Sequence, residues 1–179
     1  MLGLFIYKVI FMKYSAVQPY NDSQLQDLID DLEQNEITEF FSDNNNIIHK
    51  KYISDAVLLF THALNQLDKV PDVNNREGHV LTGDFYFSEF YSALSQHGEM
   101  QVVHDMVGIS KELSSKKSRQ YEDKKVLTDS DLKYLLFAPL LYLIDNGYVK
   151  SDLDNILDRV IKNMDQRELA YIINTKGER

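Results

Sequence analysis

The sequence predicts an all-α protein, on three observations. Apolar residues recur at helical spacing through nearly every segment from Tyr20 onward, and no stretch of useful length alternates with period two. Only 7 glycines and 3 prolines punctuate the chain. Helix caps and stops fall between the periodic runs, so a single-domain helical bundle is expected over residues 20–179.

The elements follow in order. In "NDSQLQDLIDDLEQN", Leu25, Leu28, Ile29 and Leu32 share one helical face, with Asn21, Asp22 or Ser23 available as the cap. The asparagines at 44–46 mark a break, after which Ile47 to about Leu67 carries Ile48, Tyr52, Ala56, Leu59, Phe60, Ala63 and Leu67 on a broad stripe. Pro71 interrupts. A third helix is expected from about Arg76 to His97, stopped by Gly98 in the left-handed conformation. A fourth, from Glu99 to about Lys117, uses Val102, Val103, Met106, Val107, Ile109 and Leu113, and "SSKKSRQYEDKK" reads as a charged linker or frayed end. Thr128 or Ser130 caps "DLKYLLFAPLLYLIDNG", which Pro139 should kink or divide and Gly147 should end. Ser151 caps a last helix, whose Asp152, Asp154 and Asp158 suit its N-terminal dipole.

Composition bounds the function. A chain of 179 residues with 44% hydrophobic and 26% charged residues folds as about one domain. Net charge is -9, with 19 Lys and Arg scattered among 28 acidic residues, so no basic face for nucleic acid is visible. There is no cysteine, which excludes disulfides, thiolate chemistry and the common structural zinc sites. A cytoplasmic location is the default reading. Residues 1–19 read as a loosely ordered tail or a misassigned start; the apolar "MLGLFIYKVIF" is too short to span a bilayer, and no transmembrane segment is expected.

Catalytic motifs are scarce. The five histidines lack ligand spacing, "DVNNREG" lacks the turn glycine and final acid of a calcium loop, and no phosphate loop or nucleophile elbow occurs. No metal site is expected in this chain. The remaining signal is "THALNQLDKVPD" followed by "REGHVLTGDFYFSEFYSAL", over residues 61–94. Together these resemble the first half of the trans-isoprenyl diphosphate synthases. In that family a helix ends in an aspartate-rich motif, Asp-Asp-x-x-Asp, ahead of an arginine-containing loop and a helix with Gly-Asp before aromatic and small residues. Gly83 and Asp84 fall in the matching places.

The aspartate-rich motif departs from the family pattern. Its counterpart is Asp68, Lys69, Val70, Pro71, Asp72, with lysine in place of the second aspartate. Carboxylates there would hold magnesium against an allylic diphosphate, and a lysine ammonium adds repulsion of roughly 1 to 4 kcal/mol per unit charge. Pro71 also disturbs the register that would put Asp68 and Asp72 on one face. No second aspartate-rich motif follows. The combination resembles component 1, the small noncatalytic subunit of the two-component heptaprenyl or hexaprenyl diphosphate synthases, whose fold would be part of the isoprenoid synthase fold.

The resemblance implies a chain inactive alone, without a cofactor of its own, paired with a larger catalytic subunit that uses Mg2+ to add isopentenyl diphosphate to an allylic diphosphate. The product would be a long polyprenyl diphosphate for a menaquinone side chain, with peripheral membrane association through product handling. Partner-binding candidates on the aromatic helix are Val80, Leu81, Asp84, Phe87, Phe90, Tyr91 and Leu94. Candidates to wall the tunnel for the product tail are Phe87, Tyr91, Val103, Met106 and Val107. Asp84, on a rather apolar face, should be paired or hydrogen-bonded. Periodicity alone equally allows this helix to be the core helix of a monomer, and a rival reading is an all-α interaction adaptor without prenyl chemistry.

Overall fold

A computed structural model describes residues 22–68, 76–123, 125–164, 169 and 171. The expected N-terminal tail, Asn21, Lys69, Pro71 and Asp72 lie outside the described residues. Among the described residues, seven α-helices follow in order: α1 (Asp22–Asp30), α2 (Glu36–Ser42), α3 (Lys51–Asp68), α4 (Arg76–Gln96), α5 (Met100–Asp123), α6 (Asp129–Asp145) and α7 (Asp152–Asn163). There is no strand among the described residues. An isolated antiparallel bridge, Ile47 to Val149, pins the loop before α3 to the loop after α6. No helix among the described residues is long and apolar enough to cross a membrane.

Helix α3 is the axis of the bundle. It packs most extensively along α4 and also meets α1, α5 and α6, while α7 lies against α6 and α2. Surrounded this way, α3 is buried beyond a single stripe: Ile53, Val57 and Leu58 join Ala56, Leu59, Phe60 and Ala63 in the core. The expected stripe is wrong at its ends, where Ile48 precedes the helix and is 58% exposed and Leu67 is 43% exposed. Burial of Leu or Phe side chains at this depth contributes about 1.5 to 3 kcal/mol each. Asp55, a carboxylate on the buried side, accepts two bonds from Lys51 one turn earlier, at 2.8 Å each.

The four apolar residues expected on α1 are all in the core. Helix α2 was not anticipated; Asn35 caps it by accepting from the amides of Ile37 and Thr38, and Thr38 returns a bond from the Asn35 amide. Gly98 and Gly147 stand at φ 72° and 69°, where a side chain would be strained, and they end α4 and α6 as expected. Thr128, rather than Ser130, caps α6 through a reciprocal pair with Asp131. Pro139 lies inside α6 without dividing it, embedded among the buried run Leu135–Leu140, where packing on several sides offsets the missing hydrogen bond.

Two further expectations fail for physical reasons. Helix α5 continues to Asp123, so most of the charged segment after Leu113 is helical; an i,i+4 pair, Glu112 to Lys116 at 3.0 Å, supports it. Ser151 occupies the residue before α7 but makes no capping bond with its side chain. Asp154 and Asp158 both reach Lys133 of α6, at 2.6 and 2.8 Å, and fasten α7 to α6; Asp152 and Asp154 lie in the first turn and face its dipole, whereas Asp158 lies beyond it.

Candidate functional site

The α3–α4 hairpin carries the residues singled out in the sequence. Its close packing depends on Gly83: a β-carbon there would stand 3.1 Å from Cγ and Cδ2 of Leu67 and 3.4 Å from the Ala63 carbonyl oxygen. With hydrogen instead, α4 can lie against the last turns of α3. Phe60 of α3 then meets Phe90 at 4.6 Å and Phe87 at 5.2 Å between ring centroids.

This packing divides α4 into two faces. Phe90 and Leu94, two of the seven partner-binding candidates, are wholly buried in the chain's own core and present no surface to another molecule. Leu81 and Phe87 are half-buried, with Phe87 packed on the core. Val80 and Tyr91 are 44% and 42% exposed, and Asp84 between them is also exposed. Helical spacing places Val80, Asp84, Phe87 and Tyr91 along one side of α4. The expectation that Asp84 must be paired does not hold, because an exposed carboxylate incurs no burial penalty.

The tunnel candidates are similarly split. Met106 and Val103 of α5 are packed into the core, Val107 and Phe87 are half-buried, and Tyr91 faces outward. None of them lines either of two cavities among the described residues. One, of about 470 Å³, lies between the end of α5 and the start of α6. The other, of about 230 Å³, lies among the α1–α2 loop, α2, α3, α6 and α7.

Asp68 ends α3, where the counterpart of the aspartate-rich motif begins. Its carboxylate forms an ion pair with Lys117, which α5 delivers from 49 residues away, and both side chains are largely buried. Lys117 also lies 5.6 Å from the ring centroid of Tyr171. Burial raises the Asp68 pKa above its ordinary value and outweighs the opposing effect of Lys117. The pKa of the Tyr171 phenol is raised by burial and by the nearby Asp68 charge, and its oxygen is buried without a hydrogen-bond partner among the described residues. Sequence reasoning missed the role of Lys117, which falls at the expected end of the fourth helix within the charged segment, since nothing local links it to Asp68.

Among the described residues no group of three or more His, Cys, Asp or Glu side chains is placed to hold a metal ion. The histidines make ordinary contacts instead: His97 stacks on Tyr52 at 4.0 Å, His62 meets Tyr86 edge-on at 5.1 Å, and His49 packs by Tyr148 at 4.8 Å. His79 bonds Gln66 at 3.0 Å and His104 approaches Asp105 at 3.5 Å. The arrangement on α3 and α4 can present an apolar, weakly acidic ridge to another protein. No family model, no curated protein and no solved structure matches this chain.

Proposed function

We propose that the chain is the noncatalytic small subunit of a two-component long-chain trans-polyprenyl diphosphate synthase, and that α4 docks it onto the larger catalytic subunit. The observation that carries this reading is the two-sided helix α4. Phe90 and Leu94 complete the internal core, while Val80 and Tyr91 remain outside, where they can meet a partner. The state of Asp68 supports it further, because a carboxylate already held by Lys117 is a poor ligand for magnesium. In this division of labour the partner supplies Mg2+ and both aspartate-rich motifs, and this subunit helps wall the tunnel for the growing polyprenyl tail. The product would serve as a menaquinone side chain.

The test is co-expression with a longer chain bearing two intact aspartate-rich motifs, with products resolved by chain length. Long-chain polyprenyl diphosphate is expected only when both chains are present. Identical output from the larger chain alone would remove the prenyl reading. Stable complex formation with a protein of other chemistry, and none with the synthase, would favour the adaptor reading, which the same exposed ridge also serves.

A further inference from the structure

The cavity of about 230 Å³ is bounded on α3 by Leu58, Thr61, His62 and Asn65, and the prenyl reading gives it no role. Its walls are apolar on most sides, with Leu32, Leu58, Phe137 and Leu140 all buried. Among the described residues, no carboxylate, ammonium or guanidinium lines it. Its polar lining is nearly all committed elsewhere. Thr61 donates to the Val57 carbonyl at 2.8 Å, Thr38 and Asn35 are held in the cap of α2, and His62 bonds Gln66 at 3.0 Å. The exception is Asn65: its side-chain oxygen is buried and has no hydrogen-bond partner among the described residues.

An apolar cavity with one unanswered acceptor has a defined complement. We propose that this cavity is a binding site for a small neutral amphiphile, an alcohol or phenol whose hydroxyl donates to Asn65 while its apolar body fills the space between α3 and α6. Charged ligands are disfavoured because, among the described residues, the wall holds no carboxylate, ammonium or guanidinium, and its imidazole, His62, already bonds Gln66. Size limits the ligand too: a cavity of 150 Å³ holds benzene, so this one holds roughly ten non-hydrogen atoms. The ligand's donor satisfies a group that otherwise costs stability, so the interaction is specific as well as apolar.

The probes are benzyl alcohol and toluene, titrated into the intact chain while backbone amide resonances are followed by NMR. Toluene has the stronger hydrophobic drive, so any preference for benzyl alcohol must come from its hydroxyl. Benzyl alcohol is expected to bind about fivefold more tightly, with shifts centred on Thr38, Thr61 and Asn65. In Asn65→Leu the order should reverse, and the variant should be no less stable than the wild type, since it removes an unanswered polar atom. Val160→Phe, which fills the cavity from its half-buried edge, should abolish both titrations. The proposal is overturned by equal or reversed preference in the wild type, by shifts that map elsewhere, by ordered water at Asn65 that benzyl alcohol fails to displace, or by marked destabilisation in Asn65→Leu.

Discussion

The ammonium of Lys117 closes on the carboxylate of Asp68 and ties the end of α3 to α5. A cation supplied by the chain itself thus stands where the resemblance places the start of a magnesium motif. Both side chains are about one-eighth to one-sixth exposed, at 12% and 16%, so removing one partner leaves the other poorly solvated. Lys117→Met is expected to cost roughly 2 to 4 kcal/mol, at the lower end for a buried pair because some water remains. Combining it with Asp68→Leu should recover most of that loss. Urea denaturation of the two single variants and the double variant gives the coupling, and strictly additive losses would mean the pair is not a unit.

Asp68 and Glu99 should show opposite pH behaviour. The folded-state pKa of Asp68 is raised, chiefly by burial, so the folded chain binds that proton more tightly than the unfolded chain does. Its contribution is fully present below the ordinary value of 3.8 and is lost as pH rises through the raised value. Glu99 is depressed by the hydrogen bond from Lys50 at 2.7 Å and then by that from Tyr52 at 2.6 Å. Its contribution is present above the ordinary 4.5 and is lost as pH falls through the lowered value. On acidification, wild type should therefore gain stability relative to Asp68→Asn and lose it relative to Glu99→Gln. Denaturant midpoints across mildly acidic pH check both signs, and parallel trends for the two variants would contradict the assignment.

The two faces of α4 should separate folding from docking. Phe90→Ala empties a site packed against Phe60 and should cost about 3 to 5 kcal/mol. Tyr91 keeps an edge contact with Phe90 at 5.1 Å but is otherwise at the surface, so Tyr91→Ala should cost only about 1 kcal/mol. If α4 is the docking helix, Tyr91→Ala with Val80→Ser should weaken association with the catalytic subunit by about tenfold or more while the chain stays folded. Calorimetric titration of the two purified subunits reads this directly, and unchanged affinity would place the interface elsewhere.

How much of this was legible depends on the range of the interactions involved. Leu25, Leu28, Ile29 and Leu32 reveal α1 because one face is buried and the other is not. Gly98, Gly147 and Thr128 mark helix ends through local geometry that a sequence shows directly. Helix α2 is too short for periodicity to register, and its cap combines Asn35 with Thr38 rather than the more familiar acidic partner. The second half of α5 is mostly exposed, so its helical period is invisible beneath the charge. On α4, rings are present all round, and only the packing of Phe60 decides that Phe90 is inside and Tyr91 outside. The Lys117 contact with Asp68 requires the tertiary fold, as does the Asn65 cavity.

Gly83 offers a test of whether the α3–α4 spacing matters for function as well as for packing. An alanine β-carbon would meet the Leu67 side chain at 3.1 Å, but Leu67 is 43% exposed and can swing toward solvent. Alanine also gains about 1 kcal/mol over glycine in a helix interior, so Gly83→Ala should change stability by less than about 1 kcal/mol. Gly83→Val is a different case: its two branches add bulk toward the Ala63 carbonyl, which is backbone and cannot rotate away. Separation of the helices should then cost about 1 to 3 kcal/mol and displace the ridge that Val80 and Tyr91 form. Thermal denaturation should therefore rank Val well below Ala in stability, and, if the ridge docks the proposed catalytic subunit, titration should rank the two the same way in affinity. Equal behaviour of the two variants would show that the hairpin tolerates a wider spacing, and that neither its core nor its outer ridge depends on this close approach.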